Sequence, residues 1–367
     1  IKPINYATGL VKGYNAATPF IDTKKCFSNP GQAAYCPVNY DGTFHGIVQA
    51  RFALGNSYNI PAVRVLALNR IDNFVEFAKS MGLTTFTDPS NYGLSLTLGG
   101  GEVRPYDMAV AFGVLANYGI KAPLVSILKV EDWKGKVYEE TKVNETEGDR
   151  VLSADVSFLI SHVLHDNNAR SQAFGESSFL NVRGHPEVSV KTGTTNDRRD
   201  NWTIGYTSQI LALTWVGNND NTPMSGAVSG VSGASPIWNR IIKEALDKAE
   251  AGAFNKEDEG HAWPRQPEGV SGRNICATTG LLPPGPDDTG CPTRFEYFLK
   301  DNFPTKTEGE RADIPINKTN GQMAIADTPP EFVEVQNHPI YTDPLGTIYC
   351  LDCPIASSSA SIRYPLR

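Results

Sequence analysis

The sequence has 367 residues, 40% of them hydrophobic, with a formal charge of -7, enough chain for a sizeable core and no basic footprint for nucleic acid or anionic lipid. No apolar run approaches the roughly 18 residues a membrane helix needs, and no basic-then-apolar leader opens the chain. Prolines are uneven, 11 of 25 in the first 250 residues and 14 in the remaining 117, so the two parts are built differently.

The chain opens abruptly at Ile1-Lys2-Pro3, as if inside an element, and any export signal or anchor is expected upstream. Residues 46–54 read as helical. Gly55-Asn56-Ser57-Tyr58-Asn59 then favours a turn, and Pro61 is expected to restart a helix at its first position. The next helix has Asp72 as its expected N-cap, Phe74, Ala78 and Met81 on one face, and Gly82 as terminator. Leu94-Ser95-Leu96-Thr97-Leu98 alternates like a strand before Gly99-Gly100-Gly101. Pro105 opens a helix with Met108, Phe112 and Leu115 on one face, closed by Gly119.

Residues 123–139 alternate around Trp133-Lys134-Gly135-Lys136, the pattern of a hairpin. From Ser153, Val156, Leu159, Ile160, Val163 and Leu164 follow helical spacing. The period then changes. Val188 and Val190 lead into Lys191-Thr192-Gly193-Thr194, followed by alternation at Trp202, Ile204 and Tyr206 and again at Leu211, Leu213 and Trp215. The short links between these runs imply antiparallel neighbours. A last helix from Pro236 carries Ile237, Ile241, Ile242, Ala245 and Leu246. Helices before and after an antiparallel sheet predict an α+β domain over 1–250.

Residues 251–367 are expected to be a loop-rich extension or small accessory module, with 252–292 read as linker and loop and short extended pieces over 310–350. The six cysteines at 26, 36, 276, 291, 350 and 353 fall into three sequence-local pairs. That pattern suggests disulfides and an exported location, and a set of unrelated free thiols is the plainer alternative. Cys350 and Cys353 lack the second close pair and the neighbouring histidines of a zinc site.

Lys191-Thr192-Gly193-Thr194, at the end of a predicted strand, gathers a cation, hydroxyls and a glycine, which suits a carboxylate held against an approachable backbone. Alone it could be a surface turn. Ser57-Tyr58-Asn59 could be no more than a helix cap, and Lys2 an ordinary N-terminal lysine. Ser126-Ile127-Leu128-Lys129 matches a Ser-x-x-Lys pattern, but on an alternating strand residues three apart point to opposite faces, so it is rejected as a nucleophile and base.

Lys2, Ser57-Tyr58-Asn59 and Lys191-Thr192-Gly193 follow the order of the Ser-x-x-Lys, Ser-x-Asn and Lys-Thr-Gly motifs of penicillin-binding proteins and serine β-lactamases. Gly55 to Val65, Tyr92 to Val103, Lys191 to Thr207 and Trp215 to Met224 resemble, as longer text, the transpeptidase domain of class A, bifunctional penicillin-binding proteins. The resemblance spans roughly residues 1–248. It implies a central antiparallel sheet with helices on both sides, no cofactor or metal, and a serine acyl-enzyme that crosslinks peptidoglycan and is inhibited by β-lactams.

The resemblance casts Lys2 as the general base, Ser57 as the proton relay, Asn59 as the holder of Lys2 and a substrate amide, and Lys191 as electrostatic support. It casts Thr192 and Thr194 as binders of the substrate carboxylate, Gly193 as the residue that keeps the strand approachable, and the Thr194 N–H as an oxyanion donor. The motif's serine would lie just upstream of Ile1, so the chain as given is expected to be inactive, part of a longer polypeptide with a membrane helix and glycosyltransferase domain. The partners implied are stem peptides ending in D-Ala-D-Ala, β-lactams and other cell-wall synthesis proteins, on the extracytoplasmic face of a bacterial membrane. The alternatives are a D,D-carboxypeptidase or β-lactamase-type hydrolase, or a non-catalytic penicillin- or wall-binding module.

Overall fold

The structure, a computed structural model, describes residues 1–28, 33–142, 148–195, 198–224, 231–249 and 263–354. Helix α1 (Lys2–Val11) is buried along nearly its whole length. Asn5 satisfies that burial by donating to the Ala62 carbonyl and the Thr97 hydroxyl, both at 2.9 Å. Strands β1 (Pro19–Asp22) and β2 (Gly46–Gln49) pair antiparallel. Helices α2 (Ala50–Gly55), α3 (Asn59–Asn69) and α4 (Ile71–Ser80) follow.

Several local expectations shift here. The helix expected over 46–54 begins only at Ala50, because Gly46 to Gln49 take strand partners from β1. Helix α3 opens at Asn59, and Pro61 sits in its first turn, where a missing N–H leaves no intrahelical bond unmade. Asp72 lies inside the first turn of α4 rather than at its N-cap. Leu94–Leu98 forms a 3-10 helix. Five residues without a neighbouring strand cannot pair their backbone, and the tight turn buries Leu96 and Thr97 instead.

Helix α5 (Pro105–Ala116) is as expected. Two small antiparallel pairs follow, β3 (Ile120–Lys121) with β6 (Asp149–Arg150), and the hairpin of β4 (Lys129–Glu131) and β5 (Val137–Glu140). The hairpin is shorter than its sequence pattern, and Ser126 lies exposed outside it. Helix α6 (Ala154–His165) is capped by the Ser153 hydroxyl, which accepts from the Val156 N–H at 3.2 Å. Helix α7 is Asn167–Phe174.

The sheet that organises the domain is β7 (Ser189–Thr194), β8 (Asp200–Tyr206) and β9 (Leu211–Gly217), antiparallel in that order. Helix α8 (Ala234–Lys248) covers one face, packing Trp238, Ile242 and Leu246 on Val188 and Val190. Its buried stripe is centred on Trp238, and Ile237 and Ile241 stay half exposed, contrary to the predicted face. On the other face Ile204 and Tyr206 join the main core with Phe112 and Phe158. The central antiparallel sheet flanked by helices is therefore present. Gly205 makes the α8 contact possible, since a Cβ there would lie 2.2 Å from the Trp238 ring.

The predicted boundary at residue 250 falls outside the described residues. Beyond it, β10 (Val270–Cys276) pairs with β11 (Thr293–Leu299), and β12 (Arg311–Asn317), β13 (Val333–Thr342) and β14 (Ile348–Cys350) form a second sheet. β10 lies in the stretch read as linker. Its Gly- and Arg-containing sequence becomes a strand because β11 supplies the partner. Val270, Tyr297 and Leu299 pack into or against the main core, and Tyr341 packs with Ile21 and Ile47. The cysteines form disulfides 26–36, 276–291 and 350–353. Among the described residues no helix is long and apolar enough to cross a membrane.

Candidate active site

Lys2, in the first turn of α1, and Lys191, on β7, are 189 positions apart in sequence, yet both amines reach one hydroxyl. The Ser57 Oγ accepts from Lys191 Nζ at 2.8 Å and from Lys2 Nζ at 3.3 Å. Lys2 Nζ also donates to the Asn59 Oδ1 at 2.7 Å and to the Ser57 carbonyl at 2.5 Å, and Lys191 Nζ to the Thr192 carbonyl at 2.9 Å. The four residues expected to be catalytic, Lys2, Ser57, Asn59 and Lys191, thus meet at one point.

Both lysines are buried. Burial and the nearby Lys191 hold the Lys2 amine well below the usual lysine range. Burial, helped by the Arg170 guanidinium, brings Lys191 down to about 7. Two amines converging on one hydroxyl in a desolvated pocket favour shedding a proton. A lysine in that state can take a proton, which is what activation of a neighbouring hydroxyl needs.

The sheet explains where the rest of the Lys191 motif goes. Ser189 and Lys191 face the helical core, with the Ser189 hydroxyl donating to the Ser161 carbonyl of α6 at 2.9 Å. Thr195 directs its N–H to the Asp200 carbonyl on the β8 side. Backbone groups alternate along an antiparallel strand, so the Thr192 and Thr194 N–H groups point to the opposite, outer edge of β7. Among the described strands that edge has no neighbour in the sheet. Thr192, Gly193 and Thr194 are half-buried there.

Ser57 is held in the left-handed backbone region, at φ +62°, a conformation a non-glycine residue keeps only when its surroundings impose it. The residues that hold the next two positions, Tyr58 and Asn59, were missed in the sequence. Asn39 accepts the Asn59 N–H at 2.8 Å and donates to Asp22 Oδ2 at 2.7 Å. His45 bonds the same carboxylate through Nδ1 at 2.7 Å and stacks on Tyr58 with ring centroids 3.8 Å apart. No local pattern marks Asp22, Asn39 or His45, because their partners lie on other segments. Lys129, exposed on β4, and Ser126, exposed outside the hairpin, take no part. Cys350 and Cys353 lie near His338 and Asp352, but their sulfurs are spent on a disulfide.

No family model matches the chain. Penicillin-binding protein 1A of Clostridium botulinum is 29% identical over 346 residues, covering 91% of this chain and 39% of its own length. Penicillin-binding protein 1A of Aquifex aeolicus is 31% identical over 249 residues, 66% of this chain and 32% of its own length. Among solved structures, penicillin-binding protein 1A from Haemophilus influenzae superposes with a TM-score of 0.68 at 28% identity, over 84% of this chain and 48% of that one. The chain spans about two-fifths or less of the length of these curated relatives.

Proposed function

Since the homologues of this chain are class A penicillin-binding proteins, we propose that it carries most of a D,D-transpeptidase site that crosslinks peptidoglycan through a serine acyl-enzyme. The observation that carries the reading is the convergence of Lys2 and Lys191 on the Ser57 hydroxyl, with Asn59 holding the Lys2 amine. A Ser-x-x-Lys motif completed at Lys2 puts the nucleophile two residues before Ile1, one helical turn from the Lys2 amine.

Lys2 takes the proton of that serine as it attacks the carbonyl between the two terminal D-alanines. Ser57, polarised by Lys191, passes a proton to the departing D-alanine nitrogen. Thr192 and Thr194 bind the substrate carboxylate, and the N–H of Thr194 on the outer edge of β7 stabilises the oxyanion. An amine of a neighbouring stem peptide then takes the acyl group. β-Lactams occupy the same pocket and stall at the acyl stage. The site works on the extracytoplasmic side of the membrane, in a parent polypeptide anchored upstream, and residues 1–250 form the catalytic domain with 251–367 as its extension.

The test is covalent labelling by a fluorescent penicillin, read by intact mass, in the polypeptide extended upstream through the motif. One label per chain, lost on Ser→Ala at the motif serine, supports the acyl-enzyme. Transfer to an added amine with little hydrolysis separates the transpeptidase from a carboxypeptidase or β-lactamase. A folded protein that takes no label refutes the catalytic reading and leaves a binding module.

A further inference from the structure

Helix α3 starts in an unusual way. Ser57-x-Asn59 is the kind of sequence that ordinarily caps a helix with its own side chains, yet α3 receives no side-chain hydrogen bond from its N-cap residue, Tyr58. The Ser57 hydroxyl and the Asn59 side-chain amide oxygen are turned to the lysines instead. The first N–H groups of α3 are met from twenty residues away, where Asn39 Oδ1 accepts from Asn59 N at 2.8 Å and from Ile60 N at 3.4 Å.

The Asn39 amide has only one possible orientation. Its Nδ2 faces Asp22 Oδ2 at 2.7 Å and the Thr43 backbone carbonyl at 2.9 Å, the latter able only to accept, so Oδ1 must face the N–H groups of α3. Asp22 is fully buried and is itself fixed by the His45 backbone N–H at 3.1 Å and the His45 ring. The neighbouring Val38 carbonyl accepts from Asn59 Nδ2 at 2.8 Å. With its N–H and Nδ2 both held, Asn59 can present only Oδ1 to Lys2.

We propose that Asn39, oriented by Asp22, is a positioning residue that caps α3 in place of Ser57 and Asn59 and thereby frees both to engage the two lysines. Without it, the exposed helix N-terminus competes for the Ser57 hydroxyl and the Asn59 amide oxygen, and each moment spent capping is lost to the proton path. The carboxylate-binding strand is untouched, so the defect falls on acylation far more than on binding.

This inference rests on the transpeptidase reading, and its test keeps the two apart. In the serine-bearing polypeptide, the noncovalent dissociation constant and the acylation rate constant for a fluorescent penicillin are measured for wild type, Asn39→Ala and Asp22→Asn. The expected result is full labelling stoichiometry, an acylation constant lowered about three- to thirtyfold in Asn39→Ala and a dissociation constant changed much less than that. A smaller loss is expected in Asp22→Asn, which keeps the capping oxygen but loses what orients it.

A wild-type acylation constant in Asn39→Ala overturns the proposal. So does a defect seen only as a smaller labelled fraction, which reports unfolding. Should Asn39→Ala not fold, Asp22→Asn decides by the same criteria. A wild-type polypeptide that takes no label removes the transpeptidase reading and this proposal together, whereas a labelling wild type with an unaffected variant removes the proposal alone.

Discussion

Glu296→Gln tests how firmly the C-terminal strands are built into the domain. Glu296, on β11, is buried and grips Arg51 of α2 through both oxygens, at 2.7 and 2.5 Å, while Arg294 adds a bond at 2.9 Å. Burial alone would raise its pKa, but the Arg51 and Arg294 guanidiniums outweigh that and hold it at about 2. The neutral isostere leaves two buried guanidiniums without their shared counter-charge. Arg51 retains Asp166 at 3.1 Å and Arg294 retains Gln49 at 2.9 Å, so the loss belongs at the low end of the range for a broken buried pair, about 3 kcal/mol.

The shift from 4.5 to about 2 independently corresponds to about 3 kcal/mol. The assay is urea unfolding of both proteins from pH 7 down to pH 2. Folded Glu296 binds its proton more weakly than unfolded Glu296, so falling pH drives protons onto the unfolded state. The wild-type advantage is therefore complete above pH 4.5 and fades as pH falls through 4.5 toward 2. A difference under about 1 kcal/mol at pH 7, the scale of an exposed pair, would refute the reasoning. So would a difference that does not change across that window.

Gly205→Ala is expected to cost about 2 kcal/mol or more, because its Cβ must displace the Trp238 ring from 2.2 Å or push against the Ser189 carbonyl at 2.9 Å; thermal unfolding measures this, and a neutral result would mean that α8 can slide on the sheet. Replacing Cys276 and Cys291 together by serine opens a loop of sequence separation 15, which predicts a loss of about 3 kcal/mol by urea unfolding. An unchanged midpoint would mean that the β10–β11 pairing already fixes that loop.

What could be read from the sequence was what short-range physics decides. Val188 and Val190 alternating into Lys191-Thr192-Gly193-Thr194 specify a strand, and the short links to the next two runs specify an antiparallel meander. The 3.6-residue apolar period after Ser153 specifies an amphipathic helix. The cysteines 10, 15 and 3 residues apart pair as neighbours. Motif order also brought Lys2, Ser57, Asn59 and Lys191 into one list of candidates.

Tertiary structure decided whatever depends on a partner far away in the chain. Gly46 to Gln49 is a strand only because β1 lies beside it, and Val270 to Cys276 only because β11 does. Leu94 to Leu98 coils because no described strand pairs with it. The joining of two lysines on one hydroxyl, and the capping of α3 by an asparagine held on a buried aspartate, have no local signature. Hydrogen-bond demand is written into each residue, but which residue meets it is settled only when the chain packs.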